Sequence, residues 1–572
     1  MAPTRQLVAA FTLAAIPFVA AAQNLSIGLG AEPSSLDPHY HNLSPNNMLA
    51  RHVFEALVGQ DVNQKPRPGL AESWRTTDPL TWEFKLRKGV KFFDGTEFTA
   101  DDVLATIKRL PNVPRSPSNF SSFIAGMEFE KVDSHTLRVK TKSPAPLVPI
   151  NLSGFAIVSK KCAESMSTED FNALRCQGGT GPYKYSEFKP ADRVVLSRNN
   201  SYWGPKPGWE SVTQRFITSA PSRVAALLAG DVQVIDAVPP TDIPRLKSDA
   251  NIEIAEILSN RVIYFHMDQF RENSPFITAK NGAPIKNPLL DKRVRQALSM
   301  AINRQAIVDR LMDGAAVPAE QVLPKSFFGT SQRLQPTAFD LAGARRLLAE
   351  AGHANGFKMK MHGPNGRYTN DTKIIEAVAQ MFTRLGIETE IETLPSGNFF
   401  TRASTGANGQ PEFSFMLLGW GATTGETASP LRSLMGTFDR SKGSGAANRG
   451  RYSNPALDAK LTDALATVDD AKRATILAEA SEIAFNDFAI IPSHYQTNVW
   501  ASRKGIKVEA RADEEVPLLG RLAQNEHAVG GEAFGAVQQL FDASGFEGGD
   551  AGNRVFHELR IVVVVRGEQV EV

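Results

Sequence analysis

The first clear periodicity along the chain lies between Trp82 and Phe92. Trp82, Phe84 and Leu86 alternate with polar residues, a turn falls at Lys88-Gly89, and Val90 and Phe92 resume the pattern. A period of two buries one side of a strand, so this segment predicts a strand pair with a single buried face. The Asp94-Gly95 turn follows, and Thr99-Ala100-Asp101-Asp102 caps a helix with Val103, Ile107 and Leu110 on one side, ended by Pro111. Further on the period changes to that of helices. Asp291 caps a segment carrying Val294, Leu298 and Ala301; Asn303 starts another that runs to Gly314; Asp340 starts a third with Leu341, Ala344, Leu348 and Ala351 before Gly352. Ile374, Ile375, Val378, Phe382 and Leu385 mark a helix that stops at Gly386 and feeds an alternating strand from Ile387 to Leu394, and Glu412 to Leu418 reads as another strand. Helix leading into strand, repeated, predicts an α/β layered lobe distinct from the first. No internal repeat is visible. From Asp513 onward periodicity fades, 530–549 is rich in glycine, and the apolar run Ile561 to Val565 reads either as a sheet-edge strand or, preferably, as part of an appended tail that adds little to the fold.

Composition narrows the class. A chain of 572 residues, 42% hydrophobic and 22% charged, can bury a large core in more than one lobe, and a formal net charge of +2 argues against nucleic acid or an anionic membrane as partner. At the N-terminus, Arg5 precedes an apolar run from Leu7 to Ala22 that ends in small residues before Gln23-Asn24. That order predicts a secretory signal cut near Ala22, since the run is short for a bilayer span of ~20 residues and Pro17 interrupts it. The mature protein is therefore expected to be exported. The two cysteines, Cys162 and Cys176, are expected to form a structural disulfide in an oxidising compartment, because two thiols without nearby paired histidines do not make a zinc site and their spacing is not that of a redox pair. Catalysis is not expected: there is no Gly-x-Ser-x-Gly elbow, His-Glu-x-x-His helix or Cys-His nucleophile context. No motif calls for a cofactor or a resident metal.

Four blocks then carry a resemblance. They are Gly69-Leu70-Ala71-Glu72-Ser73-Trp74 with TWEFKLRKGVKFFDGTEFTADDV from Thr81 to Val103; GTGPYKYSEFKPADRVVLSRNNSYWG from Gly179 to Gly204; VRQALSMAINRQAIVDRLMDGAAVPA from Val294 to Ala319; and FDLAGARRLLAEAG from Phe339 to Gly352. In order and spacing, over about residues 25 to 512, the chain resembles extracellular solute-binding protein family 5, which includes dipeptide-, oligopeptide-, nickel- and haem-binding proteins of ATP-binding-cassette transporters. The glycines of Gly179-Thr180-Gly181-Pro182 read as a strand-initiating turn rather than a phosphate cradle, since no Walker-type Lys-Ser/Thr follows, and Trp74, Trp82 and Trp203 read as packing.

The resemblance implies an α/β periplasmic binding protein fold of two lobes, with an extra N-terminal subdomain and the ligand cleft between the lobes. Its expected parts are a signal peptide at 1–22, lobe I at 23–265 with a subdomain inserted at about 55–180, lobe II at 266–489, a return segment at 490–513 and an atypical tail at 514–572. Crossing strands are expected near Val262 to Met267 and Ile490 to Tyr495. The implied function is capture of a peptide-like solute, by a monomer, for delivery to an inner-membrane ABC permease; the alternative is a metal complex, haem or another non-peptide solute in the same fold, and His39 and His41, an i, i+2 pair, are the residues a metal reading would use. In peptide-binding relatives an aspartate after Gly-Trp-x-Ala meets the ligand amine. Here the segment is Gly419-Trp420-Gly421-Ala422 and the acid position is Thr423, so either Glu426 takes that role or the ligand has no amine there. Arg367 lies where dipeptide-binding relatives place an arginine for the ligand carboxylate, with Trp420 expected to pack between it and Glu426. Ser34-Ser35-Leu36-Asp37-Pro38 resembles the segment that approaches the cleft, which adds Tyr40 and His41 as candidates.

Overall fold

The computed structural model describes residues 24–117, 120–406, 408–439 and 443–513, with strand backbone at 562–565 and 568–571. The signal segment at 1–22 lies outside the described residues, as does most of the tail. The chain divides into a unit of Met1–Leu522 and a unit of Ala523–Val572. In the second, Val562–Val565 pairs antiparallel with Glu568–Glu571, so the apolar run forms a ladder with its own neighbour.

In the first unit the caps act as their residue types require. Thr99 and Asp102 form a reciprocal capping box at the start of helix Ala100–Arg109. Asp291, Asn303 and Asp340 each accept a backbone N–H at the start of Lys292–Ala301, Arg304–Leu311 and Leu341–Glu350. Helix Asp371–Leu385 ends on Gly386 at φ 109°, a left-handed position that glycine occupies at least cost, and passes into strand Glu388–Pro395. Two expectations shift. Strand Thr81–Leu86 alternates as expected but does not pair with the Val90 to Phe92 stretch; its partners are Ala71–Asp78 and Thr136–Thr141, in a four-stranded subdomain sheet. The strand expected at 412–418 is observed at Phe415–Gly421, because Glu412 is spent on an ion pair with Arg402 and on a backbone bond to the same residue.

Tryptophans fill the subdomain: Trp74 stacks on Phe84, Trp82 donates its indole N–H to the Ala145 carbonyl, and Trp203 donates to Glu55. The turn Gly179 to Pro182 is structural too, since a Cβ on Gly181 would lie 2.8 Å from the Val53 carbonyl oxygen. Cys162 and Cys176 form a disulfide with Cα atoms 5.7 Å apart. The loop it closes grips the N-terminal segment, for Thr168 donates to Asp37, and Asn172 accepts from the Ser35 hydroxyl and the Leu36 N–H.

Two long strands, Ile252–Met267 and Ile491–Arg503, run antiparallel through the main sheet. Residues 252–258 pair with 503–497 on the side of Asn24–Leu29 and Val234–Ile235; 262–265 pair with 495–491 on the side of Phe415–Gly421. The register breaks between Leu258 and Val262. Ser259-Asn260-Arg261 is therefore the crossing, in the sense that here the strand passes from one group of sheet neighbours to the other, just ahead of the Val262 to Met267 segment expected for it. Beyond it the sheet is buried on both faces: Ile263, Phe265, Phe415 and Leu417 point into one apolar cluster, and Val262, Tyr264, Met416 and Leu418 into the other.

Candidate functional site

Strand Phe415–Gly421 leaves the core beside the crossing, and its alternation decides which candidates can meet. Gly419 and Gly421 fall on the face of Leu417, whereas Trp420 falls on the face of Leu418 and packs against that second cluster. On the glycine face, a Cβ on residue 419 would sit 2.6 Å from the Tyr368 ring, so glycine is what lets that ring lie on the strand. The Tyr368 hydroxyl donates to the Gly419 carbonyl at 3.2 Å.

Tyr368 fixes the turn that carries Arg367. The buried carboxylate of Asp371 accepts the backbone N–H groups of Gly366, Arg367 and Tyr368 at 3.2, 2.8 and 3.0 Å, which holds three successive peptide units around one anion. The Arg367 side chain is exposed, its guanidinium 5.2 Å from the Tyr368 ring centroid. Arg367 and Gly419 thus meet through Tyr368, at the end of a strand beside the crossing.

Trp420 does not pack between Arg367 and Glu426. It lies on the opposite face from Tyr368, and its indole N–H is buried with no hydrogen-bond partner among the described residues. The position expected for Glu426 is corrected as well. Its side chain is buried and pairs with the Arg473 guanidinium, which also covers the Phe328 ring at 4.3 Å. Burial raises the Glu426 pKa while Arg473 opposes the rise, as in an internal ion pair rather than a group offered to a solute.

The backbone after Trp420 is held by amides. Asn260 and Gln64 donate to the Ala422 carbonyl at 3.0 and 3.2 Å, Gln64 and Gln60 donate to the Thr423 carbonyl at 3.1 and 3.3 Å, and Asn260 donates to Gln64 at 2.8 Å. Ala422 is buried beside Leu323, Phe327 and Ala512, and the Thr423 side chain is exposed. Sequence reasoning missed Gln60, Gln64, Asn260, Tyr368 and Asp371. Asp371 alone left a signal, as an acid shortly after Asn365-Gly366, where a turn needs an acceptor.

In the first lobe, Tyr40 borders a polar surface cavity with Ser34, Arg115, Thr168 and Asn172. His41 shares a hydrogen bond with the Ser34 hydroxyl at 3.0 Å. His39 cannot join it on a metal. It is fully buried, one ring nitrogen faces the Ala156 carbonyl at 2.8 Å and the other the Arg109 guanidinium at 2.9 Å, and burial lowers its pKa. Arg109 in turn forms a two-pronged pair with Asp37 at 2.9 and 2.7 Å. Among the described residues no group of three or more His, Cys, Asp or Glu is placed to hold a metal ion, and no helix is long and apolar enough to cross a membrane.

A sequence model described as bacterial extracellular solute-binding proteins, family 5 Middle, matches residues 65–442. The glutathione-binding protein GsiB of Salmonella paratyphi A is 29% identical over 505 residues, covering 87% of this chain and 93% of the relative. GsiB of Escherichia coli O6:K15:H31 is 29% identical over 494 residues, covering 85% and 91%. Among solved structures, HbpA2 from Haemophilus parasuis superposes with a TM-score of 0.74 at 24% identity, over 86% of this chain and 98% of that one. The periplasmic binding protein DppA from Helicobacter pylori, in complex with the peptide STSA, superposes with a TM-score of 0.69 at 23% identity, over 88% and 97%.

Proposed function

The chain belongs to the bacterial extracellular solute-binding proteins of family 5, and from that premise we propose that it captures a small peptide-like solute outside the cytoplasm and delivers it to an ABC permease in the inner membrane. Its activity is binding, not turnover. The observation that carries the reading is the Arg367 turn, held by Asp371 and Tyr368 at the Gly419 strand end beside the crossing of the lobes. A guanidinium fixed there is suited to a solute carboxylate, which it can meet in two-pronged fashion. Gly421 and the exposed Thr423 supply contact at the strand end, and Tyr40 and His41 supply it from the first lobe. Export is proposed to follow cleavage near Ala22. The GsiB relatives, which bind glutathione by name, make that tripeptide a reasonable first probe.

Calorimetry of the mature protein with glutathione and with di- to tetrapeptides tests the reading. Binding without hydrolysis, weakened roughly tenfold or more by Arg367→Ala, is the expected result for a charge-assisted contact of ~1.5–3 kcal/mol. Failure of every peptide to bind, or affinity indifferent to Arg367, would remove it.

A further inference from the structure

The turn that follows strand Phe415–Gly421 is gripped by a buried side chain from far along the chain. Val58–Gln60 and Pro66–Pro68 form a short hairpin, and Asp61 closes its loop by accepting the Asn63 and Lys65 N–H groups at 2.9 and 2.8 Å. Within that loop Gln64 sits at φ 61°, a left-handed conformation unfavourable for residues other than glycine, and it is only 2% exposed. Its amide accounts for the choice of residue. Nε2 donates to the Ala422 carbonyl at 3.2 Å and to the Thr423 carbonyl at 3.1 Å, while Oε1 accepts from Asn260 at 2.8 Å. Carbonyl oxygens only accept, so one orientation of this amide satisfies all three contacts.

The turn at 422–425 is shaped to receive that side chain. Gly425 donates its N–H to the Ala422 carbonyl at 3.1 Å and sits at φ 63°; a Cβ on it would lie 2.5 Å from an atom of Gln64, its Cβ, closer than unbonded carbons approach. Gln60 adds a bond to the Thr423 carbonyl at 3.3 Å. Among the described residues no peptide bond is cis, and in a trans peptide the N–H points opposite to the carbonyl before it. With the Ala422 and Thr423 carbonyls drawn toward buried amides, the N–H groups of Thr423 and Thr424 turn the other way.

We propose that Gln64 is a positioning residue for solute capture: it fixes the peptide planes at Thr423 so that the strand end presents N–H donors to an oxygen of the solute, while Gln64 itself stays buried. This rests on the peptide-like reading above and adds to it the residue that orients its strand-end contact. Asn260 and Gln60 hold the same two carbonyls from either side of Gln64, and Gly425 is required because a side chain there pushes the Gln64 loop away.

The test is calorimetry with glutathione and with di- to tetrapeptides on the mature wild type, Gln64→Gly, Gln64→Glu and Gly425→Ala, each with its melting temperature. Glycine adopts φ 61° at little cost, which offsets part of the lost hydrogen bonding. Gln64→Gly should therefore keep a nearly unchanged melting temperature and bind roughly tenfold more weakly. Gln64→Glu should bind within about threefold of wild type at about pH 5, where a protonated carboxyl still donates one bond, and at least about tenfold more weakly at about pH 8, where a carboxylate faces two carbonyl oxygens. The charged groups around the cluster, Asp61, Lys65, Arg51, Arg67 and the Arg511 and Asp513 pair, are common to both proteins, so the ratio at each pH isolates residue 64. Gly425→Ala should give the same loss of affinity if Gln64→Gly folds poorly. A Gln64 that serves the fold alone would lower the melting temperature and leave the affinity ratios near one at both pH values, which would overturn the inference while leaving the peptide reading intact. Binding of none of the peptides by wild type would overturn the peptide reading, and this inference with it.

Discussion

Glu426 shows how far one residue's sequence context can mislead. An acid three positions after a missing acid invites functional substitution, but which side chain reaches it depends on Arg473, 47 positions away and unmarked by any local pattern. Removing one member of a buried pair leaves the other charge unsolvated, so Arg473→Ala should destabilise the fold by ~3–5 kcal/mol in urea titration. Glu426→Gln should lower stability and leave solute affinity unchanged, the reverse of what a ligand contact would give. Arg367 was singled out because the family resemblance marks its position, whereas Tyr368 was not, since the Gly419 carbonyl that it meets lies 51 positions away. Buried histidines set a pH dependence. Burial lowers His266 from 6.5 to about 3, with Arg449 adding to the effect, and lowers His494 from 6.5 to about 4. Below the ordinary value the unfolded chain takes up protons that the folded one refuses. The stability these groups contribute is complete above pH 6.5 and is lost as the pH falls toward about 4. Each contributes a slope on the order of 1.4 kcal/mol per pH unit in that window. Denaturation of His494→Met between pH 7 and 4.5 should show a shallower loss than wild type; an unchanged slope would mean His494 is protonated in the folded protein.

At the scale of elements, caps and helix periods were legible and strand partners were not. Thr99, Asp291, Asn303 and Asp340 start helices by bonding their own next turn, a matter of three residues of sequence. Thr81–Leu86, by contrast, pairs with Thr136–Thr141, about fifty positions on, which no local alternation can encode. The Arg367 turn belongs to the same class: its sequence placed it at a loop, but the Asp371 acceptor that shapes it became evident only with the helix that presents it. Asp371→Ala should release that turn and weaken solute binding several-fold even though Asp371 touches no solute, and Arg367→Ala should add little on top of it, as a double-mutant cycle by calorimetry would show. The disulfide loop has an analogous part in the first lobe. Closing a loop of this size contributes ~3 kcal/mol in the chain-entropy model, and since Thr168 and Asn172 hold residues 35–37, reduction should loosen the N-terminal segment first. Hydrogen exchange with and without reductant should show faster exchange at Leu36 to His39 than in lobe II.

For the whole molecule, the chain's return matters more than its end. Ala512 is fully buried; its carbonyl accepts the Asn260 backbone N–H and its own N–H donates to the Val62 carbonyl, which ties the end of the return segment to the crossing. Truncation after Asp513 should leave melting temperature and affinity nearly unchanged, whereas truncation before Val508 should lower both. A large loss from the first truncation would give the Val562–Val565 ladder a part in the fold of the first unit. The two-lobed plan was legible because four motif blocks fix their order; the break in register that makes the crossing was not, because it arises between strands more than two hundred positions apart. That pairing has a further consequence. Phe265 and Ile491 are direct partners, so the long stretch of chain between them begins and ends on adjacent strands about 5 Å apart. It is a cassette with neighbouring ends, and a chimera made with a relative by exchange at those two strands should carry the Arg367 turn and the Gly419–Gly421 strand over together, with the residues outside the cassette left as they were.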